Sequence, residues 1–311
     1  MVESVALLAL LLDAAIGWPN RLYRHLGHPV GGFAKIIHIC ERRWNKSHYL
    51  GASRKMSGIL TVTILLLVAG GGAWLFEWFV YAYLGPASWP LLAIAAFPAL
   101  AQRSLYDHVR RVVDALHGGE LDNARTAVSM IVGRDTDNLD EQGVASAAIE
   151  SLAESFCDGI AAPLFWLLVL GLPGIWAYKA LNTADSLIGH PEPEYRAFGW
   201  AAARCDDAAN LIPARISGLL ICIAGYGGWQ VLWRDHDKHA SPNAGWSEAA
   251  MAGALQIRLA GPISYDGKNY VKPFIGNGRS PDPADIFRAV GLYVRACGLI
   301  WLITGGILWL R

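Results

Sequence analysis

Runs of sequence without any charge constrain this chain more than any other feature. Ser57–Phe76 is twenty residues with no Asp, Glu, Lys or Arg. At ~1.5 Å per helical residue, such a run reaches across a hydrocarbon core of ~30 Å. Gly85–Gln102, Ile160–Tyr178, Ile216–Trp233 and Ala296–Leu310 are four more uncharged runs of near-spanning length. A large soluble protein buries one or two helices of this kind, but five imply a bilayer as solvent. Charged residues make up 17% of the chain, against ~25% in soluble domains. Lys+Arg equals Asp+Glu, so the basic footprint that nucleic acid selects is absent and no nucleic-acid partner is expected.

The N-terminal "MVESVALLALLLDAAIGWP" lacks a basic leader and a small-x-small cleavage site, and Asp13 interrupts its apolar run. It reads as a short first membrane segment that is kept. The five cysteines, Cys40, Cys157, Cys205, Cys222 and Cys297, form no CxxC pair, so neither a disulfide framework nor a zinc site follows.

The loop 19–56 holds eight Lys/Arg and one acid, which places it on the cytoplasmic side. Counting spans from there, Ser57–Leu84 goes out, Gly85–Gln102 returns, and 103–158 is cytoplasmic. Within it, Leu105, Val109, Val112 and Leu116 follow helical spacing, Gly118-Gly119 ends that helix, and Leu121, Ala124, Val128 and Ile131 mark a second. No period-2 pattern of any length appears. The expected fold is all-α: one polytopic membrane domain, 1–311, carrying a cytoplasmic helical insertion at 103–158. Gly171-Leu-Pro-Gly174 lies inside an apolar run, and Gly with Pro breaks helices. A re-entrant hairpin is expected there, since irregular backbone at membrane depth is tolerated where protein covers it. Gly225-Tyr-Gly-Gly228 offers a similar break.

Three polar clusters flank these segments. Glu150, Glu154 and Asp158 fall at i, i+4 and i+8 with no basic residue among them. Like charges at that spacing repel, and a buried carboxylate stripe calls for cations, Mg²⁺ being suited to such oxygens. Lys179, Asn182 and Asp185 recur every third residue in "AYKALNTADSLIGH". In "AAARCDDAANLIPAR", Asp206 and Asp207 stand four and three residues before Asn210, so the turn can offer three oxygens to a divalent ion. Together the clusters suggest a Mg²⁺–phosphate site at the membrane surface. No nucleotide loop accompanies them: "GPISYDGKN" is not GxxxxGK[ST], and "GNGRSP" is not GxGxxG.

"HPVGG" at 28–32, "IVGRDT" at 131–136, "IESLAESFCDGIAAPLFW" at 149–166, "AYKALNTADSLIGH" at 177–190, "YRAFGWAAARCDDAANLIPAR" at 195–215 and "SPNAGWSEAAMAGAL" at 241–255 form an ordered set. On these the chain resembles the adenosylcobinamide-phosphate synthase family, membrane proteins of cobalamin biosynthesis. It departs from that family at Ser155, where Asn is expected, and at Trp18, where Asp often precedes Pro19. The resemblance implies a helical protein of the inner membrane, with several spans and a cytoplasmic active site. It implies ATP-dependent joining of a corrinoid propionate (cobyric acid) to 1-aminopropan-2-ol phosphate, ATP and Mg²⁺ as cofactors, and other cobalamin enzymes as potential partners.

A carboxylate must be activated before an amine can attack it, as an acyl phosphate or an adenylate. By residue type, Asp206, Asp207 and Asn210 are the expected metal ligands. Glu150, Glu154 and Asp158 are expected as further ligands or as the base that deprotonates the amine. Arg134, Asp135, Lys179, Asn182 and Arg215 are expected to bind the cofactor, with Lys179, Arg134 and Arg215 the candidates for its phosphates, and Lys179 and Asp185 also in the catalytic group. His28 reads as a hydrogen-bonded loop histidine. The rivals are an Asp-rich prenyl or CDP-alcohol transferase and a non-catalytic scaffold or transporter. The CDP-alcohol signature needs Ala-Arg closer to its aspartates than "DDAANLIPAR" allows, and no repeat of two prenyltransferase-like halves is visible.

Overall fold

The computed structural model describes residues 1–19, 23–25, 27–265 and 268–310, with side chains omitted for 263–265 and 268–270. The fold is all-α and polytopic. Helical stretches long and apolar enough to cross a membrane are Gly51–His117, Glu141–Ile188, Trp200–Ala224 and Pro283–Trp309. The chain forms two compact units. One comprises Met1–Ala101, Ala162–Asn210 and Thr304–Arg311; the other comprises Gln102–Ala161 and Leu211–Ile303.

In the first unit, α1 (Val2–Ile16), α2 (Pro29–Trp44), α3 (Gly51–Leu66), α4 (Gly72–Leu84) and α5 (Trp89–Ala96) precede α9 (Ala162–Ile188). The basic segment after Pro19 is therefore largely helical rather than a loop. His28 caps α2, its Nδ1 accepting from Val30 N at 3.3 Å, which matches the hydrogen-bonded reading of that residue. Ile37, Leu65, Ala184, Ile188 and Phe198 form the centre of this unit's core. Gly58 faces the Phe198 carbonyl so closely that a Cβ would sit 1.8 Å from its oxygen.

The expected span Gly85–Gln102 is not one continuous helix. α5 has eight residues, ~12 Å of rise, between 3-10 turns at Gly85–Ser88 and Phe97–Ala99. Pro86, Pro90 and Pro98 account for the interruptions, because each lacks an N–H for the helical ladder.

The Gly171 break is real. Gly171 takes φ 69° inside α9, a left-handed conformation that favours glycine. The chain folds back there: a Cβ on Gly174 would lie 2.2 Å from the Trp166 carbonyl, whereas eight residues of straight helix would separate the two by ~12 Å. Trp166 Nε1 donates to Ala209 O at 3.1 Å, and Tyr178 OH donates to Asn210 Oδ1 at 3.0 Å. Two residues twelve apart thus meet neighbouring positions of α10 (Trp200–Ala224). The returning half-helix starts with an unpaired N–H, and Glu77 serves it: Leu172 N donates to Glu77 Oε2 at 3.1 Å.

In the second unit, α6 (Gln102–His117) and α7 (Leu121–Ser129) form the expected hairpin, with Leu105, Val109, Val112, Leu116, Ala124 and Val128 buried and Gly119 at φ 71°. α8 (Glu141–Phe156) follows, capped by Asp140, whose side chain accepts from Gly143 N. α10 ends at Ala224; Tyr226 and Gly228 have positive φ, and α11 (Trp229–Asp235) starts after them. The second glycine-rich break is thus also present. α12 (Ala244–Leu255) is almost wholly buried. The strands Leu259–Ala260 and Phe274–Ile275 pair antiparallel, as do Ile263–Tyr265 and Lys268–Tyr270. α13 (Pro283–Trp309) closes the chain.

Candidate functional site

The expected site residues divide between the two units. In the second unit they meet a cavity of about 140 Å³, lined among others by Arg134, Glu150, Glu154, His239, Glu248 and Lys272. A single water needs ~10–15 Å³ of such space, so the cavity admits a small polar ligand.

α8 supplies Glu150 and Glu154, one turn apart. The Arg134 guanidinium, carried on the segment between α7 and α8, pairs with Glu150 Oε2. Ser146 Oγ donates to Glu150 Oε1 at 2.7 Å, and Ala260 N donates to the same oxygen at 3.1 Å. The short strand Leu259–Ala260 thereby reads the carboxylate with its backbone. Both partners of the ion pair are nearly buried, with side-chain exposures of 13% and 11%. The cation that the carboxylate stripe lacks in its own segment arrives from a segment sixteen residues earlier.

α12 supplies Glu248, 3% exposed. His239 Nε2 stands 3.6 Å from its Oε1, and its buried Oε2 has no hydrogen-bond partner among the described residues. Burial, followed by the neighbouring charges of Glu150 and Glu154, pushes the Glu248 carboxyl well above the usual range. Burial likewise lowers His239, with the Lys272 charge acting in the same direction, which favours a neutral imidazole beside Glu248.

Asp158 does not line this cavity. It lies in a π-helical turn, Cys157–Ala161, which changes the helical phase. Eight residues from Glu150 already mean ~12 Å of rise, so the three-carboxylate stripe does not converge. Arg215 is also elsewhere: it donates to Leu211 O at 2.7 Å and Asn243 Oδ1 at 3.1 Å, and stacks over Trp246. Asp135 is half-buried and outside the lining. The sequence reading missed Glu248, His239 and Lys272. Glu248 did carry a signal, as the one acid in an Ala/Gly/Met-rich helix of twelve residues.

In the first unit, Lys179, Asn182 and Asp185 are half-buried on the returning half of α9. His28 is lowered by burial and then by the Lys179 charge, which puts that ammonium near the start of α2. On α10, Asp206 is 8% and Asn210 2% exposed, and Asn210 Nδ2 donates to Asp206 Oδ2 at 2.9 Å. Asp207 turns to Arg204, 3.3 Å away. Adjacent helical residues point ~100° apart, so the aspartates diverge, and Asn210 offers its amide hydrogen rather than its oxygen to Asp206. Among the described residues no three His, Cys, Asp or Glu side chains are placed to enclose a metal ion. Mg²⁺ is commonly held by one or two carboxylates plus substrate phosphates, and the hard oxygen donors here fit that mode.

Comparison with known proteins bears on the whole chain. The family model described as CobD/Cbib protein matches residues 6–293. A Rhodobacter capsulatus protein named cobalamin biosynthesis protein CobD is 46% identical over 321 residues, covering 98% of each chain. Proteins of the same name from Sinorhizobium fredii and Brucella suis biovar 1 are 48% and 44% identical. The first covers 94% of this chain and 93% of its own length, the second 92% and 90%. No solved structure matches.

Proposed function

The chain belongs to the CobD/Cbib family of cobalamin biosynthesis proteins, and we propose that its step there is an ATP-dependent ligation at the inner membrane. A corrinoid propionate, that of cobyric acid, is joined to the amine of 1-aminopropan-2-ol phosphate to give cobinamide phosphate. The observation that carries this reading is the cavity beside α8, where carboxylates and cations converge in a unit otherwise packed with alanine and leucine. Amide formation needs both kinds of group: cations to offset phosphate charge and a carboxylate to take a proton from the attacking ammonium.

In this reading Glu150 is a positioning residue, since Arg134, Ser146 and the Ala260 amide all bond to it. Glu154, on the exposed side of the lining, takes the amine proton. Lys272 and Arg134 neutralise phosphate oxygens at this cavity; in the first unit, taken by itself, Lys179 and Asn182 offer donors to an anion and Asp185 offers an acceptor. Asp206 is the first-unit candidate to hold Mg²⁺ together with substrate phosphate, whereas Asp207 turns to Arg204; the ion, when bound, would supply neutralisation of phosphoryl charge. The site faces the cytoplasm, where ATP and the corrinoid are supplied, and other cobalamin enzymes are potential partners there.

The test is incubation of purified protein with cobyric acid, 1-aminopropan-2-ol phosphate and ATP, with Mg²⁺ titrated by chelator. Mass-detected cobinamide phosphate that disappears with chelator supports the reading. No amide product from well-folded protein contradicts it.

A further inference from the structure

Glu248 is the group in the second unit least explained by folding. A buried polar atom without a partner is rare in native structures and calls for a cause. One oxygen of Glu248 faces the imidazole of His239, at 3.6 Å. The other, Oε2, is fully buried with no hydrogen-bond partner among the described residues, and the side chain lines the cavity. Stability alone would favour an apolar residue here, as α12 has at the buried positions that follow, Ala249, Ala250, Met251 and Ala252. A carboxylate kept in such a place is suited to a ligand that brings its own hydrogen-bond donor and positive charge.

The rest of the lining specifies that ligand further. Arg134 and Lys272 border the same cavity, so a positive charge at Glu248 and a negative charge near the two cations are both accommodated. At about 140 Å³ the space suits a compact molecule. Glu154, which is exposed, lines the same cavity.

We propose that this cavity is the subsite for a small zwitterion, a primary ammonium joined to a phosphate, with the Glu248 carboxyl receiving the ammonium and Arg134 with Lys272 receiving the phosphate. The identity of the zwitterion as an amino-alcohol phosphate rests on the ligation reading above; the charge complementarity does not. Glu248 is then the residue that selects an amine over a hydroxyl at that end. An ammonium brings the charge that offsets the burial disfavouring an ionised carboxyl there, whereas a hydroxyl brings none.

Calorimetric titration of the detergent-solubilised full chain tests this with three probes. They are 1-aminopropan-2-ol phosphate, propan-2-yl phosphate, which lacks the amine, and 1-aminopropan-2-ol, which lacks the phosphate. Wild type should bind the zwitterion at least about tenfold more tightly than either fragment, the loss expected when one charged hydrogen bond is removed. Glu248→Gln should lose at least about tenfold for the zwitterion and leave propan-2-yl phosphate unchanged. Glu248→Asp, which keeps the carboxyl, should retain the preference for the amine and keeps the test informative if the Gln variant unfolds. Zwitterion affinity unaltered in Glu248→Gln overturns the subsite, as does an equal loss for all three probes. The coupling assay separates the two readings. Wild type that makes the amide while Glu248→Gln discriminates normally removes the subsite alone. Wild type that selects the zwitterion but makes no amide removes the ligation reading alone.

Discussion

Replacing Glu150 by alanine removes the hub of the cavity wall. Its carboxylate receives the Arg134 guanidinium, the Ser146 hydroxyl and the Ala260 amide. Arg134 would then stand with a side chain 13% exposed and no carboxylate, a change that costs about 3–5 kcal/mol for a buried pair. The Ala260 N–H and the Ser146 hydroxyl lose their acceptor as well, but the cavity lets water replace part of it, so the lower half of that range is expected. At ~2–4 °C per kcal/mol for a unit of this size, the second unit should melt roughly 6–16 °C earlier. The informative comparison is the double variant Arg134→Met/Glu150→Leu. Replacing both partners of a buried pair by apolar groups is often close to neutral, so the double variant should be more stable than Glu150→Ala. Tryptophan-fluorescence melting of purified protein measures all of these. If Arg134→Met and Glu150→Leu add within ~0.5 kcal/mol, the pair is not coupled and the hub account fails.

Glu77→Ala should destabilise the first unit by about 0.5–2 kcal/mol, the usual worth of a helix cap, because Leu172 N loses its acceptor; Glu77→Gln should restore most of this, and equal losses for both would exclude the capping role. Cysteines placed at Asn138 and Ser186 should be labelled from the same, cytoplasmic, side if the chain reversal at Gly171 is re-entrant, and labelling of Ser186 from outside would sink that topology. Asp235 is fully buried, paired with Arg234 and Lys238 and accepting from Gly276 N; hydrogen bonding from Arg234 holds its carboxyl well below the usual range, overcoming burial. A depressed folded-state pKa contributes stability above the unfolded value of ~3.9 and loses it as pH falls further. Asp235→Asn should therefore cost stability undiminished from pH 8 to about 5 and progressively less below about pH 4, and a gap that stays constant into acid would contradict the pairing.

Much of this was legible in the sequence because the bilayer and the helix impose strict patterns. The apolar spacing of Leu105, Val109, Val112 and Leu116 predicts the face that is buried, and Gly171 with Pro173 marks the reversal. Charge-free length is a weaker guide to continuity: Gly85–Gln102 passes as a span by composition, but its prolines divide it. The carboxylate pattern at i, i+4 and i+8 overstates convergence, because a pattern on paper assumes one helical phase and the π-helical turn at Cys157–Ala161 alters it. Arg134 was a candidate on residue type, but its partner Glu150 could not be read from local spacing, since the link depends on how the segment before α8 folds back. Glu248 was hidden for the opposite reason. It lies within "SPNAGWSEAAMAGAL", but a lone acid in an alanine-rich helix has no charged neighbours in sequence, and only tertiary packing places it beside Glu150 and Glu154.

The most direct measurement follows oxygen from the substrate carboxylate. Cobyric acid labelled with ¹⁸O in the reacting carboxyl is turned over by purified protein with ATP, Mg²⁺ and 1-aminopropan-2-ol phosphate, and the phosphate products are analysed by mass. Activation by ATP predicts that one ¹⁸O appears in inorganic phosphate, or in AMP if the activated species is an adenylate, in step with cobinamide phosphate. Amide formed with unlabelled phosphate and AMP, or no amide at all, would contradict the ligation account.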